Sequence, residues 1–136
     1  MNIEKHIQNM LKVRKSRISP KVGKLLIAEP FMRDLYFRRS VILLIDYSEE
    51  GAFGVVLNKP TFIKISEVVQ EYNDINYPLF SGGPVSINNV YFLHRLSEYI
   101  SDSIFVENDI FWGGNKEEIL QLLKNNFFDE SKLRIF

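Results

Sequence analysis

Three stretches of this sequence carry groups that could do chemistry. In Phe37-Arg38-Arg39-Ser40, two guanidinium groups and a hydroxyl stand just ahead of an apolar run. Paired arginines grip a carboxylate or phosphate through parallel N–H donors, so the pattern points to an anionic ligand. The same guanidiniums could instead form ion pairs with Asp34 or Glu29, a purely structural use. In Ser81-Gly82-Gly83-Pro84-Val85, two glycines let successive backbone N–H groups converge into an anion-binding nest, and Pro84 fixes the exit. A plain chain reversal uses the same residue types. His94 ends the run Val90-Tyr91-Phe92-Leu93-His94, where strand alternation sets it beside Val90 and Phe92 on a buried face. A neutral imidazole there satisfies a backbone carbonyl more often than it acts as a general base.

Other chemistries lack their residues. There are no cysteines, which excludes disulfides, thiolate metal sites and a cysteine nucleophile. His6 and His94 are the two histidines, and no His-Glu-x-x-His or calcium-loop spacing occurs, so no metal and no cofactor are expected. Neither Gly51-x-x-Gly54 nor the Ser81 turn runs on into Gly-Lys-Ser/Thr, and Leu79 stands where a nucleophile elbow needs glycine. Tyr91, Phe92, Phe105, Phe111 and Trp112 interleave with aliphatics rather than with Lys or Arg, which reads as core and not as a base-stacking platform.

The elements that must position these groups follow from periodicity. Ile3, Ile7, Met10 and Leu11 form one thin apolar helical stripe, and Pro20 and Gly23 end it, so residues 1–22 read as a basic arm and linker. Residues 23–136 then read as a single compact domain. Strands are expected at 24–29, 40–47 and 52–58, the second buried on both faces through Val41-Ile42-Leu43-Leu44-Ile45. Gly51 suits the intervening turn, Gly54 marks a bulge or close backbone approach, and Pro60 ends the hairpin. Ile65, Val68, Val69 and Tyr72 fall on one helical face with Ser66 as N-cap. Extended segments are expected at 79–85, 89–96 and 103–106. Asn115 caps a helix with Glu118 completing a capping box, and Ile119, Leu122, Leu123 and Phe127 form its buried stripe. Residues 132–136 begin a last strand. Paired strands between well-separated helices predict an α+β fold, a mixed and mostly antiparallel sheet with a few packed helices.

Charge is balanced overall, with 17 basic and 17 acidic residues, but it is unevenly spread. Residues 1–24 hold seven basic side chains against Glu4 alone, leaving the remainder of the chain with an acidic surplus. Nucleic acid is therefore a possible partner only through the basic stretch 5–24. Apolar runs are too short to cross a bilayer and no signal-peptide pattern opens the chain, so a soluble, cytoplasmic protein is expected.

Five segments in order and spacing carry a resemblance: Gly23-Lys24-Leu25-Leu26-Ile27-Ala28, Phe37-x-Arg39-Ser40-Val41, Gly51-Ala52-x-Gly54-x-x-Leu57-Asn58-x-Pro60, Gly82-Gly83-Pro84-Val85 and Leu93-His94. The set resembles the bacterial YqgE/AlgH family, some of whose members are labelled transcriptional regulators. The resemblance implies a cytoplasmic α+β domain. Ser40, Asn58, Gly82, Gly83, Pro84 and His94 match positions typical of the family, and no catalytic role comes with them. Asn115 stands where relatives usually carry aspartate, and the chain stops before the Gly-Tyr-Ala/Ser-Gly-Trp segment and the helical region that follows in the family. The expectation is a non-enzymatic regulatory or interaction module binding a protein or a small anion. Its rival is an anion-binding sensor or enzyme using Arg38, Arg39, Ser40, Asn58 and His94 around Gly82-Gly83. The early ending predicts an open C-terminal strand edge, with Phe127, Phe128 and Phe136 exposed and prone to self-association.

Overall fold

The structure, a computed structural model, describes residues 19–83, 89–126 and 128–136. The helix expected over residues 3–11, together with Pro84, Val85 and Phe127, lies outside the described residues. The chain folds as α+β in two units, one drawn from Met1–Lys59 and Ser81–Asn88, the other from Pro60–Phe80 and Asn89–Phe136.

In the first unit, β1 (Leu25–Ile27), β2 (Val41–Ser48) and β3 (Gly51–Val56) form an antiparallel sheet in that order. The unbroken apolar run of β2 makes it the central strand, as residues needing cover on both faces require. On one face, Ile42 and Leu44 pack with Ala28, Phe37 and Val56. Gly54 sits opposite Leu44, where the register shifts. A Cβ there would lie 2.7 Å from Ile42 Cγ2 and 3.1 Å from the Leu43 carbonyl oxygen, so the glycine marks a close approach of the two strands.

In the second unit, β4 (Pro60–Lys64), β5 (Pro78–Phe80), β6 (Phe92–His94), β7 (Ile104–Glu107), β8 (Ile110–Trp112) and β9 (Leu133–Ile135) form a sheet ordered β4-β5-β9-β6-β8-β7. Its pairings are antiparallel except β5 with β9. The helix α1 (Lys116–Asn125) buries Ile119 and Leu123 in a core shared with Ile65, Tyr72, Phe92, Ile100 and Ile135.

Several local expectations give way to tertiary partners. The helix expected through Ile65 and Tyr72 is two 3-10 turns, Ile65–Glu67 and Gln70–Tyr72. Val69 between them is extended at φ −126° and ψ 114°, a conformation that suits a β-branched residue. The N-cap is Lys64 rather than Ser66, and the Glu67 carboxylate accepts from the Lys64 N–H at 2.7 Å. Pro60 opens a strand instead of merely closing one; an N–H-free residue suits the first position of an edge strand. Phe105 is 59% exposed, unlike the other aromatics assigned to the core. The open C-terminal edge does not exist, because β9 lies between β5 and β6 with partners on both sides. Phe136 is buried against Phe80 and Trp112, and Phe128 is half-buried and stacks on Tyr77.

Tyr77 is the clearest alkaline weak point of the second unit. Its hydroxyl lies 2.6 Å from the Glu130 carbonyl and 2.5 Å from that of Leu133. Burial, with Glu130 nearby, pushes its pKa up to about 12. An unfolded tyrosine ionises near pH 10, so the unfolded chain loses its proton first as pH rises. Stability should therefore hold below pH 10 and fall between about pH 10 and 12, by up to roughly 1.4 kcal/mol per pH unit. Urea unfolding midpoints followed across that window should fall in the native chain and flatten in Tyr77→Phe.

Candidate functional site

Arg38, Arg39 and Ser40, three of the residues singled out for chemistry, belong to one turn of the first unit. The Asp34 carboxylate opens it, accepting from the N–H groups of Tyr36 at 2.9 Å and Phe37 at 3.0 Å. Arg38 N–H then donates to the Asp34 carbonyl at 2.9 Å, and the fully buried Phe37 ring anchors the turn in the core. Arg39 ends it in the left-handed region at φ 59°, uncommon for a residue with a Cβ. Asn58 holds it there: its Nδ2 donates to the Arg39 carbonyl at 2.8 Å, and its Oδ1 accepts from Val41 N–H at 2.9 Å. Lys59 Nζ donates to the Arg38 carbonyl at 3.0 Å. Both arginine side chains are left exposed.

Ser40 is not available for surface chemistry. It is fully buried, and its hydroxyl donates to the Tyr36 carbonyl at 3.3 Å. The glycine turn is likewise tied to the sheet. Ser81 N–H donates to the Lys59 carbonyl at 2.7 Å, the Gly82 carbonyl accepts from Val56 N–H at 2.8 Å, and the Ser81 hydroxyl bonds that of Tyr36. Gly83 has φ 151°, far from the roughly +57° of left-handed residues in a nest. Pro84 and Val85, which would complete the expected nest, lie outside the described residues. Here the glycines serve the pairing of Ser81 and Gly82 with the segment running from β3 to Lys59.

His94 is built into the second unit. It is 2% exposed and stacks on Phe111. Its Nδ1 accepts from Leu96 N–H at 3.1 Å, which places the proton on Nε2. Nε2 lies 3.0 Å from both the Gly113 carbonyl and Ser103 Oγ. Burial lowers its pKa below the usual 6.5, partly countered by the bond to Gly113. Both ring nitrogens are thus occupied, and the imidazole pins the Gly113-Gly114 turn that leads into α1. Asn115 caps that helix as expected, its Oδ1 accepting from Glu118 N–H at 3.1 Å. The reciprocal half of the capping box is diverted: the Glu118 carboxylate accepts from the N–H and hydroxyl of Ser101, and Asn115 N–H donates to the Ser101 carbonyl at 2.8 Å.

The structure thus brings Arg39 and Asn58 together, buries Ser40 beneath the same turn, and engages His94 in the other unit. Sequence reasoning missed the parts of Lys59 and Tyr36. Their signal is only their position, Lys59 beside Asn58 and Tyr36 beside Phe37. Asn58→Ala should cost about 1–2 kcal/mol, because water replaces only part of a two-bond backbone latch at an exposed site. Asn58→Asp keeps the acceptor for Val41 but loses the donor to Arg39, so its denaturation midpoint should recover only partly.

Residues 25–136 match the family model described as AlgH-like, DUF179. A UPF0301 protein of Chlorobium chlorochromatii is 39% identical over 114 residues, covering 84% of this chain and 61% of that protein. One from Bacteroides fragilis is 34% identical over 137 residues, covering 100% and 68%. This chain thus spans 61–68% of the length of these two relatives. Among solved structures, a Corynebacterium diphtheriae protein superposes with a TM-score of 0.65 at 26% identity, covering 89% of this chain and 65% of that one. The AlgH protein from Pseudomonas aeruginosa gives 0.63 at 23% identity, covering 88% and 67%, a likeness of fold.

Proposed function

The chain belongs to the AlgH-like family, and on that premise we propose that it is a non-enzymatic interaction module whose Arg38-Arg39 turn meets an acidic partner. One observation carries the reading. The groups that could have been catalytic are bonded inward: both amide atoms of Asn58, the Ser40 hydroxyl and both ring nitrogens of His94. The two guanidiniums face solvent from a turn whose carbonyls are already taken. Such a surface offers charge and bidentate donors. Regulation, transcriptional regulation included, would then act through the partner bound. The proposal sets the module in the cytoplasm; among the described residues no helix is long and apolar enough to cross a membrane.

Poly-L-glutamate is a suitable first probe. Its affinity for the double variant Arg38→Ala/Arg39→Ala should fall about tenfold, roughly 1.4 kcal/mol shared by two exposed ion pairs, with the unfolding midpoint unchanged. Binding should also weaken as salt rises. Equal binding by native and variant chains, or preference for a short DNA duplex over the polyanionic peptide, would overturn the reading.

A further inference from the structure

We propose that the outer edge of β1 is a docking line for an extended segment of a partner protein, apolar at its centre and acidic at both ends, taken up by strand addition. The inference rests on the acidic-partner reading and adds the mode of binding. Within the sheet, Leu44 N–H donates to the Lys24 carbonyl, Ala28 N–H donates to the Ser40 carbonyl, and Leu26 is in register with Ile42. Alternation then turns the N–H and C=O groups of Leu25 and Ile27 outward, and among the described residues no strand pairs with them. Their side chains are 53% and 62% exposed.

Exposed strand edges are ordinarily guarded by charge, proline or a bulge. The edge strand β4 of the other sheet has such guards, with Pro60 at its start, a register irregularity, and Phe62 at φ 61°. Within its three residues β1 has no proline, charge or register irregularity; it presents Leu and Ile, and its charges flank it. Further along the chain, Phe31 and Leu35 are also exposed, at 87% and 80%.

Charge defines the occupant. Lys21 and Lys24 stand exposed at the start of β1. At its end, the bond from Ala28 to Ser40, on the side facing β2, sets the exposed Arg38-Arg39 turn at the close of the strand, within reach of long side chains. Of the nearby acids, Asp34 points Oδ1 at two backbone amides and Glu29 is half-buried. A peptide with acids at both termini and two or three β-branched residues between them matches this order of charges, with main-chain bonds giving affinity and side chains giving specificity.

The probe is a fluorescein-labelled peptide, Asp-Glu-Val-Thr-Val-Glu-Asp, followed by fluorescence anisotropy with the intact chain. Ile27→Pro removes an outward N–H together with the exposed Ile27 side chain, and should weaken binding at least tenfold while the fold persists. N-methylation of the peptide leaves the protein untouched and covers the case in which that variant does not fold. Methylating one set of alternate peptide nitrogens should abolish binding, and methylating the other set should spare it. Equal binding by the two methylated peptides overturns strand addition. So does a concentration-dependent dimer that Ile27→Pro dissociates, which would make a second copy the occupant. Binding that appears only after deletion of residues 1–18 overturns it as well, since the arm would then fill the edge. A peptide that fails to bind the intact chain sinks the edge proposal alone, because poly-L-glutamate still reports on the arginines. Loss on Arg38→Ala/Arg39→Ala without any dependence on methylation does the same.

Discussion

Gly114→Ala is expected to destabilise the protein by about 4 kcal/mol, through backbone strain and overpacking acting together. Gly114 has φ 123°, a region that residues with a Cβ rarely enter. A Cβ there would lie 2.3 Å from Ile100 Cγ2, 2.8 Å from Ser103 Oγ and 3.2 Å from the Ser101 carbonyl. None of these neighbours yields easily. Ile100 belongs to the core, Ser103 Oγ is bonded to His94, and the Ser101 carbonyl accepts from Asn115. The adjacent Gly113 is the internal control. It has φ 74°, but a Cβ there meets nothing within 4 Å, so Gly113→Ala should show only the strain, about 1 kcal/mol. Urea unfolding of the two variants separates the effects. Equal losses would mean that packing around Gly114 is not what this geometry describes.

His94→Ala should cost about 3–5 kcal/mol, the range for a large buried side chain whose partners are left unpaired. It empties a buried position and leaves Leu96 N–H without its acceptor and the Gly113 carbonyl without its donor. The native residue also predicts an acid dependence. Because burial lowers the folded pKa below 6.5, the unfolded chain takes up the proton first as the solution is acidified. The contribution is complete above pH 6.5 and is lost as pH falls toward the folded pKa, at up to roughly 1.4 kcal/mol per pH unit. Stability measured from pH 7.5 downward should decline below about 6.5, and His94→Ala should remove that part of the decline.

Much of this architecture was legible wherever a residue's role is set by its chain neighbours. The five-residue apolar run suggested a central strand, Gly54 pointed to a bulge or a close approach, and alternation buried His94 with Phe92. Asn115 capped its helix because an N-cap needs only the amide three residues on. What stayed hidden depends on partners distant in sequence. Glu118 fits a capping box but bonds Ser101 instead, and Ile65 through Tyr72 has helical spacing while Val69 is extended. Leu133 to Phe136 read as an edge because the chain stops there. Only the parallel pairing with β5 reveals β9 as interior. The candidate site suffered most. Arg39, Ser40, Asn58 and His94 have the side chains of a catalytic set, and nothing local discloses that backbone groups already occupy three of them.

The protonation state of His94 tests most directly the claim that these polar residues are structural latches. Long-range proton–nitrogen correlation spectra of the 15N-labelled chain, recorded as a pH titration, read it at each ring nitrogen. The account predicts a neutral ring with its proton on Nε2, still neutral as pH falls through 6.5 in the folded chain. A ring carrying its proton on Nδ1, or one that titrates reversibly at or above pH 6.5 within the folded chain, would contradict it and return His94 to the candidates for a general base.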